Sequence, residues 1–265
     1  MTRRPPAIAA GLVLFAVVFA ACNGSSSAPT LTDPAEIVTA ALKSTEGAKS
    51  VHIEVAVDGE AGVSLPIGAD LGTSFDLTGT TASADIDFAR PAAKATFSLP
   101  SLLGLSGEVI AVDGKSYVKT TLTGALYQES SLGDVGIDAT PDPSATTDMI
   151  DDLGDFLLSE GIVLAKGDDV ACGSKTCYAV STTVDAGDLG SGAAGAVSDL
   201  PVDLVGATLA LTVLVEQDAP NHLAGLTAEI SLPDGTSITV DVIASKWDEP
   251  VAITAPPADQ VKPAS

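Results

Sequence analysis

Gly206 to Trp247 reads GATLALTVLVEQDAPNHLAGLTAEISLPDGTSITVDVIASKW. Leu209, Leu211, Val213 and Val215 alternate along its first third. Leu226, Ala228, Ile230 and Leu232 alternate along the second, and Ile238, Val240 and Val242 along the third. Thr208, Thr212, Thr227, Glu229, Ser231, Thr239 and Asp241 fill many positions between them. A period of two with one apolar side predicts three strands of an antiparallel sheet, wet on one face and covered on the other. Alternation leaves open whether a packed core or a bound apolar molecule does the covering.

The same period recurs elsewhere in the chain. Val51, Ile53, Val55 and Val57 point one way along residues 50–58, with His52, Glu54 and Asp58 opposite. Further strands are predicted at 75–82, 83–89, 92–99, 106–112, 115–121, 161–167 and 177–184, and Asp113-Gly114 is a hairpin link. Asp33-Pro34 opens a helix that ends near Gly47, since Asp caps and Pro fits the first helical position. A second helix is expected over 146–159, where Met149, Ile150, Leu153, Phe156 and Leu157 form an apolar stripe. Residues 60–75 and 131–146 read as loops, and 186–206 as a short helix between loops. The order favours an α+β fold: one large, strongly curved antiparallel sheet with helices on its concave face.

The chain has 265 residues, is 46% hydrophobic and only 4% aromatic, and can bury a sizeable core. Its formal charge is -23. Losing residues 1–21 removes two arginines and no acid, leaving 10 basic against 35 acidic residues, or -25. Such a chain is repelled by nucleic acid, so no nucleic-acid partner is expected.

Arg3 and Arg4 precede an apolar run from Ala7 to Ala20, too short for a membrane span. The run closes on Phe19-Ala20-Ala21-Cys22, followed by Asn-Gly-Ser-Ser-Ser. Small residues ahead of that cysteine resemble a bacterial lipobox. This implies a signal peptide at 1–21, lipidation of Cys22, a flexible tether at 22–32, and anchoring on the outer face of the cell membrane. An ordinary secretory leader with an unmodified cysteine is the other reading. Cys172 and Cys177 flank Gly-Ser-Lys-Thr, and a hairpin there brings them close enough for a disulfide in an oxidising compartment.

Catalytic and metal-binding signatures are missing. There is no Gly-x-Ser-x-Gly elbow, no His-Glu-x-x-His, no P-loop and no dinucleotide fingerprint. The acids Asp148, Asp151, Asp152 and Asp155 lack calcium-loop spacing. His52 belongs to a wet strand face, and His222, beside the Asp218–Asn221 turn, is expected to be exposed. No enzyme activity, cofactor or metal is expected.

Several features fall in order: the leader, a helix ending in Lys49-Ser50-Val51-His52, and the hairpin Asp113-Gly114-Lys115-Ser116-Tyr117-Val118-Lys119. Val215-Glu216-Gln217 then precedes His222-Leu223, and Ser245-Lys246-Trp247 leads to Glu249, Val251, Ile253 and Pro256-Pro257. Together these resemble the LppX/LprA/LprF/LprG lipoproteins of mycobacteria and other actinobacteria, over about residues 33–257. The resemblance implies one domain at 33–257 with a tail at 258–265. It also implies a half-barrel sheet whose helices enclose a large apolar cavity for the acyl chains of envelope lipids or glycolipids. Members carry such cargo toward the outer envelope, some with an exporter of the major facilitator class. Loops at 60–75 and 121–146, the cysteine pair and the Gly-rich 186–206 depart from the family pattern.

Alternation and the helix stripe nominate Ala95, Phe97, Leu99, Val109, Met149, Leu153, Phe156, Leu157, Leu211, Val213, Ile230 and Val240 as lining residues. The same positions would look alike over a filled core. A structural or interaction lipoprotein is therefore the competing reading.

Overall fold

The computed structural model describes residues 30–62, 74–131, 143–185 and 206–262. Helix α1 spans Pro34–Glu46. Asp33 caps it: its Oδ1 accepts from the backbone N–H of Ala35 (2.8 Å) and of Glu36 (3.2 Å), satisfying two donors that lack helical partners. Strands β1 (Ser50–Gly62), β2 (Ser74–Asp76), β3 (Thr80–Asp87), β4 (Ala92–Leu99), β5 (Leu105–Val112), β6 (Lys115–Thr120) and β7 (Gln128–Ser131) follow. Helix α2 spans Pro143–Leu157. Then come β8 (Ala165–Lys166), β9 (Val170–Cys172), β10 (Lys175–Asp185), β11 (Thr208–Glu216), β12 (Leu223–Ser231) and β13 (Ser237–Ser245).

All paired strands run antiparallel, in the order β7-β6-β5-β4-β3-β1-β13-β12-β11-β10-β8, with β2 on β1 and β9 on β10. The sheet is open, with β7 and β8 as its edges. Two meanders, one from each end of the chain, join where β1 meets β13 (His52 opposite Ser245, Val55 opposite Val242).

Three differences from the sequence reading have local causes. The break expected between 82 and 83 falls at Leu77–Gly79. Asp76 Oδ1 accepts from Thr78 N and Asp58 Oδ1 from Gly79 N, and Gly79 takes a positive φ of 77°, so the chain turns there. Residues 60–62, expected as loop, continue β1 and pair with β2. Gly59 makes that extension possible: a Cβ on it would lie 2.1 Å from the Ser237 carbonyl oxygen, and its φ is 125°. Residues 258–262, expected as a tail, are docked. Tyr127 N donates to Gln260 O, and Lys262 N donates to Tyr127 O. The short helix expected within 186–206 lies outside the described residues.

Helices α1 and α2 pack on one face of β10 and β11. Ile37, Val38, Ala41 and Leu157 meet Tyr178, Val180, Leu211, Val213 and Val215 in a buried cluster. The C-terminal segment covers the other face at β4–β6, where Ile253 packs with Ala92, Ile110, Tyr117 and Tyr127. Cys172 and Cys177 form a disulfide that ties β9 to β10.

Candidate functional site

Strand register makes one face of the sheet apolar from end to end. Val213 lies opposite Leu226, Leu226 opposite Val242, Val242 opposite Val55, Val55 opposite Ala82, and Ala82 opposite Phe97. Neighbouring rows repeat the pattern: Leu211, Ala228, Val240 and Val57, and further along Ile53, Ala84, Ala95, Val109 and Val118. Because side chains alternate, all of these project to the same side.

This face is covered unevenly. Over β10 and β11 it is closed. Leu211, Val213 and Leu157 are 5%, 3% and 2% exposed. The space left among Val38, Leu42, Ile150, Leu153, Leu157 and Val213 is about 20 Å³, room for one water at most. At one end Val51, Ile86, Ala93 and Ala244 are also buried, backed by Phe88 and Trp247. Between and beyond these clusters Val55, Val57, Ala82, Ala95, Phe97 and Leu99 are only half-buried, as are Val240 and Ile230. Phe97 reaches across β5. A Cβ on Gly107 would lie 2.5 Å from its ring, so glycine there leaves room for it.

The nominated residues therefore divide. Ala95, Phe97, Leu99, Ile230 and Val240 lie on the half-buried part of the face, and Val109 on the same face is buried. Leu211, Val213 and Leu157 belong to the packed cluster, with Leu153 and Phe156 against it. Leu211 and Val213, expected to face a cavity, lie in a buried cluster that also holds Ile37 and Val38 of α1. The side chain of Met149 lies outside the described residues. Val55, Val57 and Ala82 were not nominated. The alternation of Val55 and Val57 is visible in the sequence, but only the pairing of β1 with β13 and of β3 with β4 places Val57 beside Val240 and Ala82 beside Phe97.

The opposite face, apart from the cluster around Ile253, carries many polar and charged side chains. Glu108 receives Lys94 at 3.0 Å and Lys119 at 3.4 Å, and Lys119 also lies over the Tyr127 ring at 4.4 Å. Burial pushes the Glu108 carboxyl up, but the lysines and Tyr127 outweigh it and hold it below the usual range. An open groove of about 810 Å³ lies beside the disulfide hairpin. Leu214, Leu226, Val242 and Ile243 line it together with Lys175, Glu216, Asp241 and Glu249, so its wall is part apolar and part charged.

His52 Nδ1 lies 2.6 Å from Asp85 Oδ1, and its other nitrogen is nearest Glu54 at 3.6 Å, which makes a cross-strand polar pair. His222, expected exposed, is buried. Trp247 comes back from beyond β13 and stacks on its ring, centroids 5.0 Å apart, while donating Nε1–H to Leu223 O. Burial drives the His222 pKa down, and its Nδ1 has no hydrogen-bond partner among the described residues. Among the described residues no group of three or more His, Cys, Asp or Glu is placed to hold a metal. No described helix is long and apolar enough to cross a membrane.

The sequence model of the LppX_LprAFG lipoproteins matches residues 33–253, and the chain belongs to that family. The fold is similar to that of LprF from Mycobacterium bovis, with a TM-score of 0.56 and 20% identity. That match covers 86% of this chain and 98% of LprF. It is also similar to the lipoprotein LppX of Mycobacterium tuberculosis, with a TM-score of 0.51 and 21% identity over 83% of this chain and 98% of LppX. No curated protein sequence matches.

Proposed function

We propose that this protein is a lipid carrier of the cell envelope. It takes the acyl chains of an envelope lipid or glycolipid against the half-buried stretch of its apolar face. The observation that carries this reading is the unequal cover of one continuous face: a closed core over β10 and β11, and half-exposed Val55, Val57, Ala82, Ala95, Phe97 and Leu99 beyond it. Each methylene moved from water onto such a surface contributes about 0.8 kcal/mol, so a single acyl chain supplies ample affinity without any catalytic group. The family's lipoprotein character supports cleavage of residues 1–21, acylation of Cys22, and a tether at 22–32 that leaves the 33–257 domain free on the outer face of the membrane. An exporter of the major facilitator class would deliver the cargo.

A structural lipoprotein with a filled core is the second reading, favoured by the tight packing of Leu211, Val213 and Leu157. Extraction of the purified chain 23–265 with organic solvent, followed by mass spectrometry, separates the two. The carrier yields stoichiometric lipid, and Ala95→Trp, which fills the half-buried stretch, retains less than about half of it. Absence of lipid from the wild type after incubation with envelope lipids favours the filled core.

A further inference from the structure

Two turns sit side by side at one end of the sheet. The β4–β5 turn presents Leu102 and Leu103, and the β6–β7 turn presents Leu122 and Leu126. Ser106 and Thr121 tie them together: Thr121 N–H donates to Ser106 O at 2.9 Å, and Ser106 N–H to Thr121 Oγ1 at 3.3 Å. Leu103 is 99% exposed and Leu122 78%. These four leucines are half of the eight large apolar side chains exposed among the described residues.

The chain is 18% charged, yet residues 99–107 and 120–128 carry no charge at all. Part of the backbone of both turns is paired locally. Gly104 N–H donates to Pro100 O, Leu105 N–H to Leu102 O, and Gly124 N–H to Thr120 O. The Thr120 and Thr123 hydroxyls take further local bonds. Leu103 holds a φ of 56°, a conformation unfavourable for leucine, which points its side chain into solvent at the turn. The nearest charges along the chain, Glu108 and Lys119, pair with each other at 3.4 Å, and an apolar residue kept in such a backbone at an uncharged turn fits a soft apolar medium. A protein partner would need a matching groove and would find no charge here to set its register.

We propose that these two turns are a membrane-docking surface that inserts leucine side chains into the interfacial region of an uncharged or zwitterionic bilayer. Backbone groups that are already paired can enter that region cheaply. Leu99 and Leu105, opposite one another just inside the β4–β5 turn, continue the apolar face directly into the docking surface. Docking does not depend on cargo, since a chain with a filled core would dock equally well.

The test is flotation of the purified chain 23–265, which holds every described element, with phosphatidylcholine vesicles. The wild type floats, and phosphatidylglycerol in the vesicles weakens the association because the chain is strongly acidic. The double substitution Leu103→Asp and Leu122→Asp lowers partitioning by about tenfold or more for each leucine withdrawn from the interface. Both side chains are solvent-exposed, so its circular dichroism and melting temperature match wild type. Val163→Asp, at an apolar side chain 80% exposed elsewhere, changes nothing. A wild type that stays with the soluble fraction overturns the proposal, as does a double variant that floats equally well. So does a wild-type dimer abolished by the double substitution without vesicle binding, which would make the turns a self-association surface.

Discussion

On β10 and β11 the apolar face carries Tyr178, Val180, Leu211 and Val213, all buried under α1 and α2. On β1, β3 and β4 the same face carries Val55, Val57, Ala82 and Ala95, all half-buried. The alternation runs through both halves, and the register joins them with one irregularity, at Leu214/Val215 between β11 and β12. The difference lies in what is laid on top, and in side-chain size. Small alanines on β3 and β4 leave depth, whereas Tyr178 and the branched residues of β10 and β11 fill theirs. A packed core and a binding surface are thus built from one pattern, and cover decides which is which.

Four measurements distinguish the closed half from the half-buried one. The largest effect is expected in the closed half. Ile37→Ala, at a side chain with 0% exposure, should cost about 3–4 kcal/mol in urea unfolding, from lost transfer energy and an uncollapsed cavity. Removing the Cys172–Cys177 link with paired serines should cost about 2 kcal/mol, since it closes a short loop beside the same half. Phe97→Ala should cost only about 1–2 kcal/mol in the lipid-free chain, because its ring is half-buried, but should abolish most of the thermal stabilisation given by added lipid. A cost as large as that of Ile37→Ala would mean that both halves are closed.

The smallest effect is on pH dependence. Burial lowers the His222 pKa in the folded state, so the folded chain binds its proton less readily than the unfolded chain, whose imidazole titrates near about 6.5. The stability from a neutral His222 is fully present above that value and falls as the pH drops through it toward the folded pKa. His222→Gln should flatten this acid limb of a melting-temperature profile.

Elements governed by local chemistry were legible in the sequence. The three strands after Gly206, the Asp33 cap and the disulfide hairpin all follow from residues close to one another in the chain. Features set by distant pairing were not. His222 looks like a turn residue until Trp247 arrives to cover it. Residues 258–262 look like a tail until Tyr127 pairs with them. Val55 and Ala82 join the candidate site only because β1 lies between β13 and β3. That Leu211 and Val213 lie in a buried cluster with Ile37 and Val38 is unreadable for a related reason: alternation marks a face but says nothing of which part of it α1 will occupy.

The pairing of β1 with β13 also fixes the order in which this molecule can be completed. The first strand to be synthesised finds its central partner only when the last one has been made. The β1–β7 and β10–β12 meanders can each form early from neighbouring strands, but neither β1 nor β12 gains its inner neighbour until residues 237–245 are available. Such non-local closure slows folding and leaves apolar edges open in the meantime. A chain interrupted before Ser237 would be two sticky half-sheets, and a chain reaching Ser245 has what it needs to join them.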